Sequence, residues 1–117
     1  MTAARREFTS YLRSVANSEA NLDAAALIFG ELIANAIMYG RDPITVSVDS
    51  RAPYALLIVE DGGLGFVRED LRPLDTTSTG GRGFAIATNL ARSLHVERLP
   101  GRFRITAELP VKIRPDA

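Results

Sequence analysis

Apolar residues recur at helical spacing in three stretches of the chain. The first stretch, residues 3–16, carries Phe8, Leu12 and Val15 with charged residues between them, which predicts an amphipathic helix lying on a core. A later helix begins in the glycine-rich stretch 80–83 and keeps helical spacing at its apolar positions, which are Phe84, Ala87, Leu90, Ala91 and Leu94.

The helix between these two is apolar over most of its circumference, so we expect it to pack on more than one side. Either Asn21 or Asp23 can cap its start, and it runs to about Met38, which is expected to lie in the core. Gly40 is expected to act as its C-terminal cap, and Pro43 prevents the helix from continuing.

Alternating and continuous apolar runs predict the strands. Residues 44–49 alternate as a half-buried strand does, whereas the continuous apolar run in 54–60 is typical of a central strand covered on both faces. Residues 95–99 are short and strand-like, and 103–109 alternate again. The tail over 112–117 is expected to fray.

The predicted order is helix, helix, strand, strand, loop (residues 67–79), helix, strand, strand. This order indicates an α/β two-layer sandwich, in which a mixed, mostly antiparallel sheet is covered on one face by about three helices. With 117 residues, the chain is expected to form one domain over 1–117, since it is too short for two cores.

Composition narrows the classes of function. Fourteen basic and fourteen acidic residues give zero formal charge, and without a basic cluster we expect no direct contact with nucleic acid. The absence of cysteine excludes disulfides and thiolate metal sites, and fits a reducing compartment. Continuous apolar runs such as 55–59 are too short to span a bilayer, and no signal-peptide pattern is present, so we expect a cytoplasmic protein without membrane contact.

Two polar residues interrupt the apolar helix. Glu31 and Asn35 are four residues apart and therefore share one helix face. If that face is buried, the carboxylate and the amide need specific partners, because an unpaired buried polar group costs about 1 to 3 kcal/mol. The alternative is an exposed stripe in which neither residue has a special role.

Glycine clusters lie at two junctions between elements. Gly80–Gly83 place free backbone N–H groups at a helix start, which is suited to an anion, and Thr76–Thr79 and Arg82 add hydroxyls and a cation nearby. A flexible loop ending in a helix cap is the alternative, and the stretch is not a Walker P-loop because no Lys-Ser/Thr pair follows. In Asp61–Gly65 the aspartate can accept a hydrogen bond from a ligand amine, or the stretch is only a turn.

Taken together, these stretches resemble the three nucleotide-binding boxes of the GHKL superfamily (the Bergerat fold), which includes gyrase and the histidine kinases. Glu31-x-x-x-Asn35 is similar to the N box, Asp61-x-Gly63-x-Gly65 to the first glycine box, and Gly81-Arg-Gly-Phe84 to the second. The resemblance covers roughly residues 20–110. It is strongest to the small anti-sigma-factor serine/threonine kinases, because of the continuation of the N box to Gly40 and the form of the second glycine box.

The resemblance implies an ATP site with Mg²⁺. Asp61 would bind the exocyclic amine of adenine, Asn35 would ligate Mg²⁺, and Glu31 would be the general base that accepts the proton of the acceptor hydroxyl. The remaining implied ATP contacts are Gly63 and Gly65 near the base and sugar, and Thr79, Gly81, Arg82, Gly83 and Phe84 near the phosphates.

The implied function is phosphorylation of an anti-anti-sigma partner, combined with sequestration of a sigma factor and with homodimer formation. Two alternatives stay open: the catalytic module of a sensor histidine kinase, and a non-enzymatic interaction module with a degenerate nucleotide site. The chain departs from the family at Tyr39, where a histidine is usual, and at Gly101-Arg102-Phe103, where Gly-Thr is usual. The first strand of the family also has little room before Arg5.

Overall fold

The computed structural model describes the backbone of residues 2–63 and 81–117, and the side chains of these residues except Thr2 and 81–84. The helices are α1 (Thr2–Val15), α2 (Leu22–Tyr39) and α3 (Gly81–Leu90). The strands are β1 (Thr45–Asp49), β2 (Tyr54–Asp61), β3 (Ser93–Leu99) and β4 (Arg102–Lys112). The loop predicted over residues 67–79 lies outside the described residues.

The four strands form one sheet in the order β1-β2-β4-β3. Each neighbouring pair is antiparallel, with β2 and β4 in the centre and β1 and β3 outermost among the described strands. The helices pack against one face of this sheet, so the predicted two-layer α/β sandwich with a mostly antiparallel sheet is confirmed.

Side chains alternate between the helix-covered face and an open face along both central strands. In β4 the covered positions are buried and their neighbours are half-buried. The same alternation occurs in β2, where Leu57 and Val59 are buried but Leu56 and Ile58 are only half-buried. The prediction that β2 is covered on both faces is therefore wrong, because helices lie on only one side of the sheet.

Charged side chains form a cross-strand chain on the open face of the sheet. Arg104 in β4 donates to Glu60 in β2 at 2.5 Å and to Glu97 in β3 at 3.4 Å. Opposite charges on neighbouring strands stabilise the pairing modestly.

The core lies between the sheet and α2, which is the central helix. Ile28 and Leu32 are completely buried, and Phe29 stacks on Phe8 of α1 with ring centroids 4.4 Å apart. By length and mean hydropathy (18 residues, 1.5), α2 also satisfies the criteria for a membrane span. These criteria are weak evidence, since the core helix of a globular domain satisfies them equally, and α2 occupies that position.

The helix ends follow the sequence signals at two places. Asn21 caps α2 by accepting a hydrogen bond from the Ala24 N–H at 3.0 Å, and Gly40 is its C-cap, as predicted. The structure corrects two other predictions. Met38 is 70% exposed and not in the core, and Leu94 belongs to β3 because α3 ends four residues earlier.

The C-terminal tail was expected to fray from Lys112 onwards, but hydrogen bonds attach its first residues to the fold. The Ile113 N–H donates to the Pro53 carbonyl at 2.9 Å, and the Arg114 N–H donates to the Val15 carbonyl at 2.8 Å. These bonds join the end of β4 to α1 and to the turn before β2.

Candidate functional site

The buried polar side chains among the described residues are Asn35 and Asp61, which are 7% and 3% exposed. Both belong to the set that the sequence predicts for ligand binding. Every other buried side chain in the described core is apolar, so these two are the places where the interior departs from a plain hydrophobic core.

Asn35 lies in the second half of α2 with its side chain buried. Its amide nitrogen has no hydrogen-bond partner within the described part of the chain. Because a half-turn of the amide exchanges its oxygen and nitrogen, either polar atom can face the same space. Glu31 precedes Asn35 by about one helical turn and is half-buried, so the α2 face that bears both residues is partly open to solvent.

Asp61 lies at the end of β2 and is held by its own turn. Its Oδ1 accepts a hydrogen bond from the Gly63 N–H at 2.7 Å, which fixes the first residues of the glycine-rich stretch around the carboxylate. On the other side the carboxylate lies directly against Gly40. A Cβ atom at position 40 would lie 2.6 Å from both Cγ and Oδ2 of Asp61.

A second glycine allows the same close approach. The Gly62 N–H donates to the Arg41 carbonyl at 2.6 Å, and a Cβ atom at Gly62 would collide with the carbonyl oxygen of Asp42. The connection between α2 and β1 therefore crosses the end of β2 in backbone contact. Through this crossing, the end of the helix that bears Asn35 meets the strand end that bears Asp61.

The sequence did not predict these two glycine contacts. The sequence predicts Gly40 only as a helix cap. Its φ of −93° requires no glycine, but a Cβ atom there would collide with the Ala36 carbonyl oxygen as well as with the Asp61 carboxylate, so lack of space explains this residue. The sequence does contain a sign of these close contacts: one glycine directly precedes the α2–β1 connection, and another directly follows Asp61.

A buried aromatic residue is the partner of Asp61 on the neighbouring strand. Phe103 of β4 pairs with Asp61 in the strand register and is 2% exposed. This is the stretch in which the resembling family carries Gly-Thr, so a buried phenyl ring, with no hydroxyl group, lies beside the carboxylate here.

The other predicted site residues are described in part or not at all. Gly63 is buried beside Asp61, whereas Gly65 and Thr79 lie outside the described residues. The backbone of α3 begins at Gly81, as the second glycine box predicts, and α3 packs against α2. Nothing is described of the side chains at Arg82 and Phe84.

The donor set suits a magnesium ion that is shared with phosphates better than a site made only of protein ligands. In the described ranges, no group of three or more His, Cys, Asp or Glu side chains is placed to hold a metal ion. The unpartnered amide of Asn35 provides one neutral oxygen, and Mg²⁺ commonly takes few protein ligands while phosphates and waters complete its octahedron. The residues present therefore fit the implied ATP·Mg²⁺ group.

Known proteins resemble the chain in sequence family and in fold. The family model described as "Histidine kinase-like ATPase domain" matches residues 1–108. Among solved structures, the Acinetobacter baumannii histidine kinase AdeS is similar with a TM-score of 0.58 and 19% identity over 80% of this chain. The histidine kinase domain of the Erythrobacter litoralis EL346 blue-light activated histidine kinase is similar with a TM-score of 0.59 and 16% identity over 77% of this chain.

These similarities are likenesses of fold, given their low identities. The alignments cover 48% and 47% of the two histidine kinase chains, so this chain spans about half of their length. No curated protein matches the sequence.

Proposed function

The chain belongs to the family of histidine kinase-like ATPase domains, and on that basis we propose that it binds ATP with Mg²⁺ and phosphorylates a serine or threonine of a partner protein. One observation carries the proposal: the buried polar side chains of the described core are Asn35 and Asp61, the two residues that nucleotide binding requires there. A core with no ligand to bind gains nothing from an unpartnered buried amide, since such a group costs about 1 to 3 kcal/mol.

Asp61 supplies the selectivity for adenine in this proposal. A carboxylate offers about four lone-pair sites, so Asp61 can accept a hydrogen bond from the exocyclic amine in addition to its contacts within the fold, which include the bond from Gly63. The neighbouring Gly40 fixes the position of the carboxylate, because the two are in direct contact. Asp61 therefore presents an acceptor that is already oriented before the base arrives.

Asn35 and Glu31 act at the phosphate end. Asn35 would hold Mg²⁺ through its side-chain oxygen, and the ion would supply charge neutralisation at the phosphates. Glu31, half-buried and one turn away, takes the proton of the acceptor hydroxyl while the oxygen bonds to the γ-phosphorus and the bond to ADP breaks. A positioned base of this kind contributes roughly 10² to 10⁴-fold to the rate, and positioning and charge neutralisation contribute the remainder.

The serine/threonine acceptor and the partners rest on the resemblance to anti-sigma-factor kinases. On that resemblance we propose an anti-anti-sigma protein as the substrate, a sigma factor as the sequestered partner, and a cytoplasmic location. Homodimer formation stays a prediction of the sequence.

A second candidate function is the catalytic module of a sensor histidine kinase. The observation that favours it is that both solved structures described above are histidine kinases. The nucleotide site would be the same, but the acceptor would be an imidazole. The two candidates differ in the chemistry of the product, because phosphoserine survives acid whereas phosphohistidine survives alkali and is lost in acid.

Calorimetric titration of the chain with a non-hydrolysable ATP analogue, with and without Mg²⁺, tests the nucleotide site. We expect micromolar binding that depends on Mg²⁺. A cell extract with radiolabelled ATP then tests transfer, and the acid and alkali stability of any labelled protein identifies the acceptor. The Glu31→Gln variant is the control, since we expect it to bind nucleotide normally and to transfer no phosphate.

Absence of binding at millimolar nucleotide would contradict the proposal. The chain would then be a non-enzymatic interaction module that keeps the fold. Full transfer by the Glu31→Gln variant would instead retain the nucleotide site and place the base at another residue.

A further inference from the structure

An open apolar groove lies on the side of the molecule formed by α1, α2 and the outer strand β1. Its volume is about 730 Å³, and its lining includes Phe8 and Tyr11 of α1, Ile33 and Ile37 of α2, and Val46 of β1. We call this feature the α1–β1 groove. None of the predicted nucleotide contacts whose side chains are described lines it.

Large apolar side chains are exposed around this groove. Tyr11 is 41% exposed, Ile37 is 63% exposed and Val46 is 39% exposed, although they come from three different elements. Single exposed apolar residues are ordinary, but a contiguous group in a concave surface marks a place where another molecule binds.

The backbone along the groove is an accessible sheet edge. β1 pairs with β2 on one side only among the described strands, without a register shift over Thr45–Asp49. The strand contains no proline, lysine or bulge, three of the features by which proteins protect an edge from further pairing, and its one charged residue, Asp49, lies at its end. An added strand can therefore form hydrogen bonds along it.

The register shows where the side chains of an added strand would lie. Val46 and Val48 pair with Val59 and Leu57, which are buried on the helix-covered face. Alternate residues of an added strand would lie beside these two valines and enter the α1–β1 groove, over Ile37. The occupant must therefore be extended and apolar at alternate positions.

The charge of the groove specifies the occupant further. Glu7 is the charged residue among those lining the groove, it is exposed, and it forms no ion pair with any other described residue. A strand with a lysine or arginine after its apolar positions would complement it. A second copy of this chain fits less well, because its β1 (Thr-Val-Ser-Val-Asp) brings an aspartate, and the arginine that follows, Arg51, is paired with Asp49 of its own chain.

We propose that the free edge of β1 and the α1–β1 groove bind an extended segment of a partner protein, which is apolar at alternate residues and carries a basic residue that pairs with Glu7. This interaction surface is additional to the nucleotide site. It provides a place where a partner strand extends the sheet by one member.

The test uses the ¹⁵N-labelled chain and a synthetic peptide, Thr-Val-Thr-Val-Thr-Lys, in which both valines and the lysine lie on one face of a strand. We expect saturable shifts of the backbone amide signals of Thr45–Asp49 at submillimolar peptide. A peptide with glutamate in place of the lysine should bind at least fivefold more weakly to the same residues. The Glu7→Gln variant should abolish this difference between the two peptides.

Two variants of β1 form a matched pair. Val46→Lys places a charge on the groove side and should abolish the peptide shifts, whereas Thr45→Lys places the same charge on the opposite face and should preserve them. Both variants should bind the ATP analogue as the unmodified chain does, so failure of this proposal is distinguishable from failure of the nucleotide site.

Three results would overturn the proposal. The first is the absence of β1 shifts at millimolar peptide. The second is equal binding of the lysine and glutamate peptides. The third is a dimer of the unmodified chain in sedimentation that Val46→Lys dissociates, because a second copy would then occupy the edge.

Discussion

At the scale of the residue, the contact between Gly40 and Asp61 best connects sequence to site. The carboxylate lies where a side chain at position 40 would be, so the glycine is required for space and not for its dihedral angles. Sequence patterns identified Asp61, Asn35 and Glu31 because polar residues stand out in apolar runs. They missed the contact of Asp61 with Gly40, because Gly40 lies 21 positions earlier in the sequence and only the folded chain brings the two residues together.

The Gly40→Ala variant tests this contact. We expect the added methyl group to collide with the Asp61 carboxylate and with the Ala36 carbonyl oxygen, and to lower the free energy of unfolding by about 1 to 3 kcal/mol, as overpacking usually does. Affinity for the ATP analogue should fall with it. Urea denaturation and calorimetry measure the two effects, and unchanged values for both would mean that the carboxylate is not held against the glycine.

The Asp61→Asn variant tests the proposed contact with adenine. An amide presents an NH₂ group in place of one acceptor oxygen, and an unmatched buried hydrogen bond costs about 1 to 3 kcal/mol. We expect affinity for the ATP analogue to fall by about tenfold or more in calorimetry. Asp49→Asn on β1 is the matched control and should bind normally. Equal affinity in the two variants would remove Asp61 from the site.

The Asn35→Leu variant should separate stability from function. The substitution preserves the side-chain size and removes the unpartnered buried amide, so we expect the nucleotide-free chain to become more stable by about 1 kcal/mol. The magnesium-dependent part of nucleotide binding should be lost at the same time. A loss of stability in urea denaturation would show that the amide is satisfied within the protein.

The electrostatics of β1 gives a pH prediction. The hydrogen bond from the Arg51 side chain lowers the pKa of Asp49 from 3.8 to about 2. The resulting stabilisation is present above pH 4 and is lost as the pH falls through 2, because protonation removes the acceptor charge. NMR titration of the Asp49 carboxyl should show the low pKa, and in the Arg51→Ala variant it should return towards 3.8.

At the scale of the element, hydrophobic periodicity predicted the existence and type of each described helix and strand. It failed where the environment of a residue depends on which sides of an element are covered. Met38 continues the apolar pattern of α2 but faces solvent, and β2 is as apolar as a strand buried on both faces although one of its faces is open. Hydrophobicity indicates that a residue can be buried, but whether it is buried depends on which elements pack against it.

An aromatic pair contributes to the attachment of α1 to α2, together with Leu12, which is also buried. Phe8 is 6% exposed and stacks on Phe29 with an interplanar angle of 22°. We expect Phe8→Ala to lower the free energy of unfolding by about 3 to 5 kcal/mol, because it removes a buried ring and leaves a cavity. Tyr11→Ala on the same helix is the control, and its smaller cost should follow from its exposed ring. Equal costs in urea denaturation would mean that α1 is not held by this pair.

At the scale of the whole molecule, the sequence predicted the two-layer architecture from the order of the elements alone. It did not predict the strand order, because the pairing of β2 with β4 across α3 and β3 is a choice among several antiparallel arrangements. Neither did it predict the accessible edge of β1, since a strand at an edge and a strand inside a sheet have the same alternation.

The crossing of the α2–β1 connection over the end of β2 has a consequence for regulation. Ile37 lines the α1–β1 groove and Gly40 touches Asp61, and the two residues are three positions apart at the same helix end. If a ligand at either site moves this helix end, binding at the two sites is linked by a coupling free energy. Thermodynamic linkage makes this coupling reciprocal: a partner strand that strengthens nucleotide binding by some factor is itself bound more tightly, by the same factor, when the nucleotide is present. One ligand titrated at two concentrations of the other measures that factor from either side.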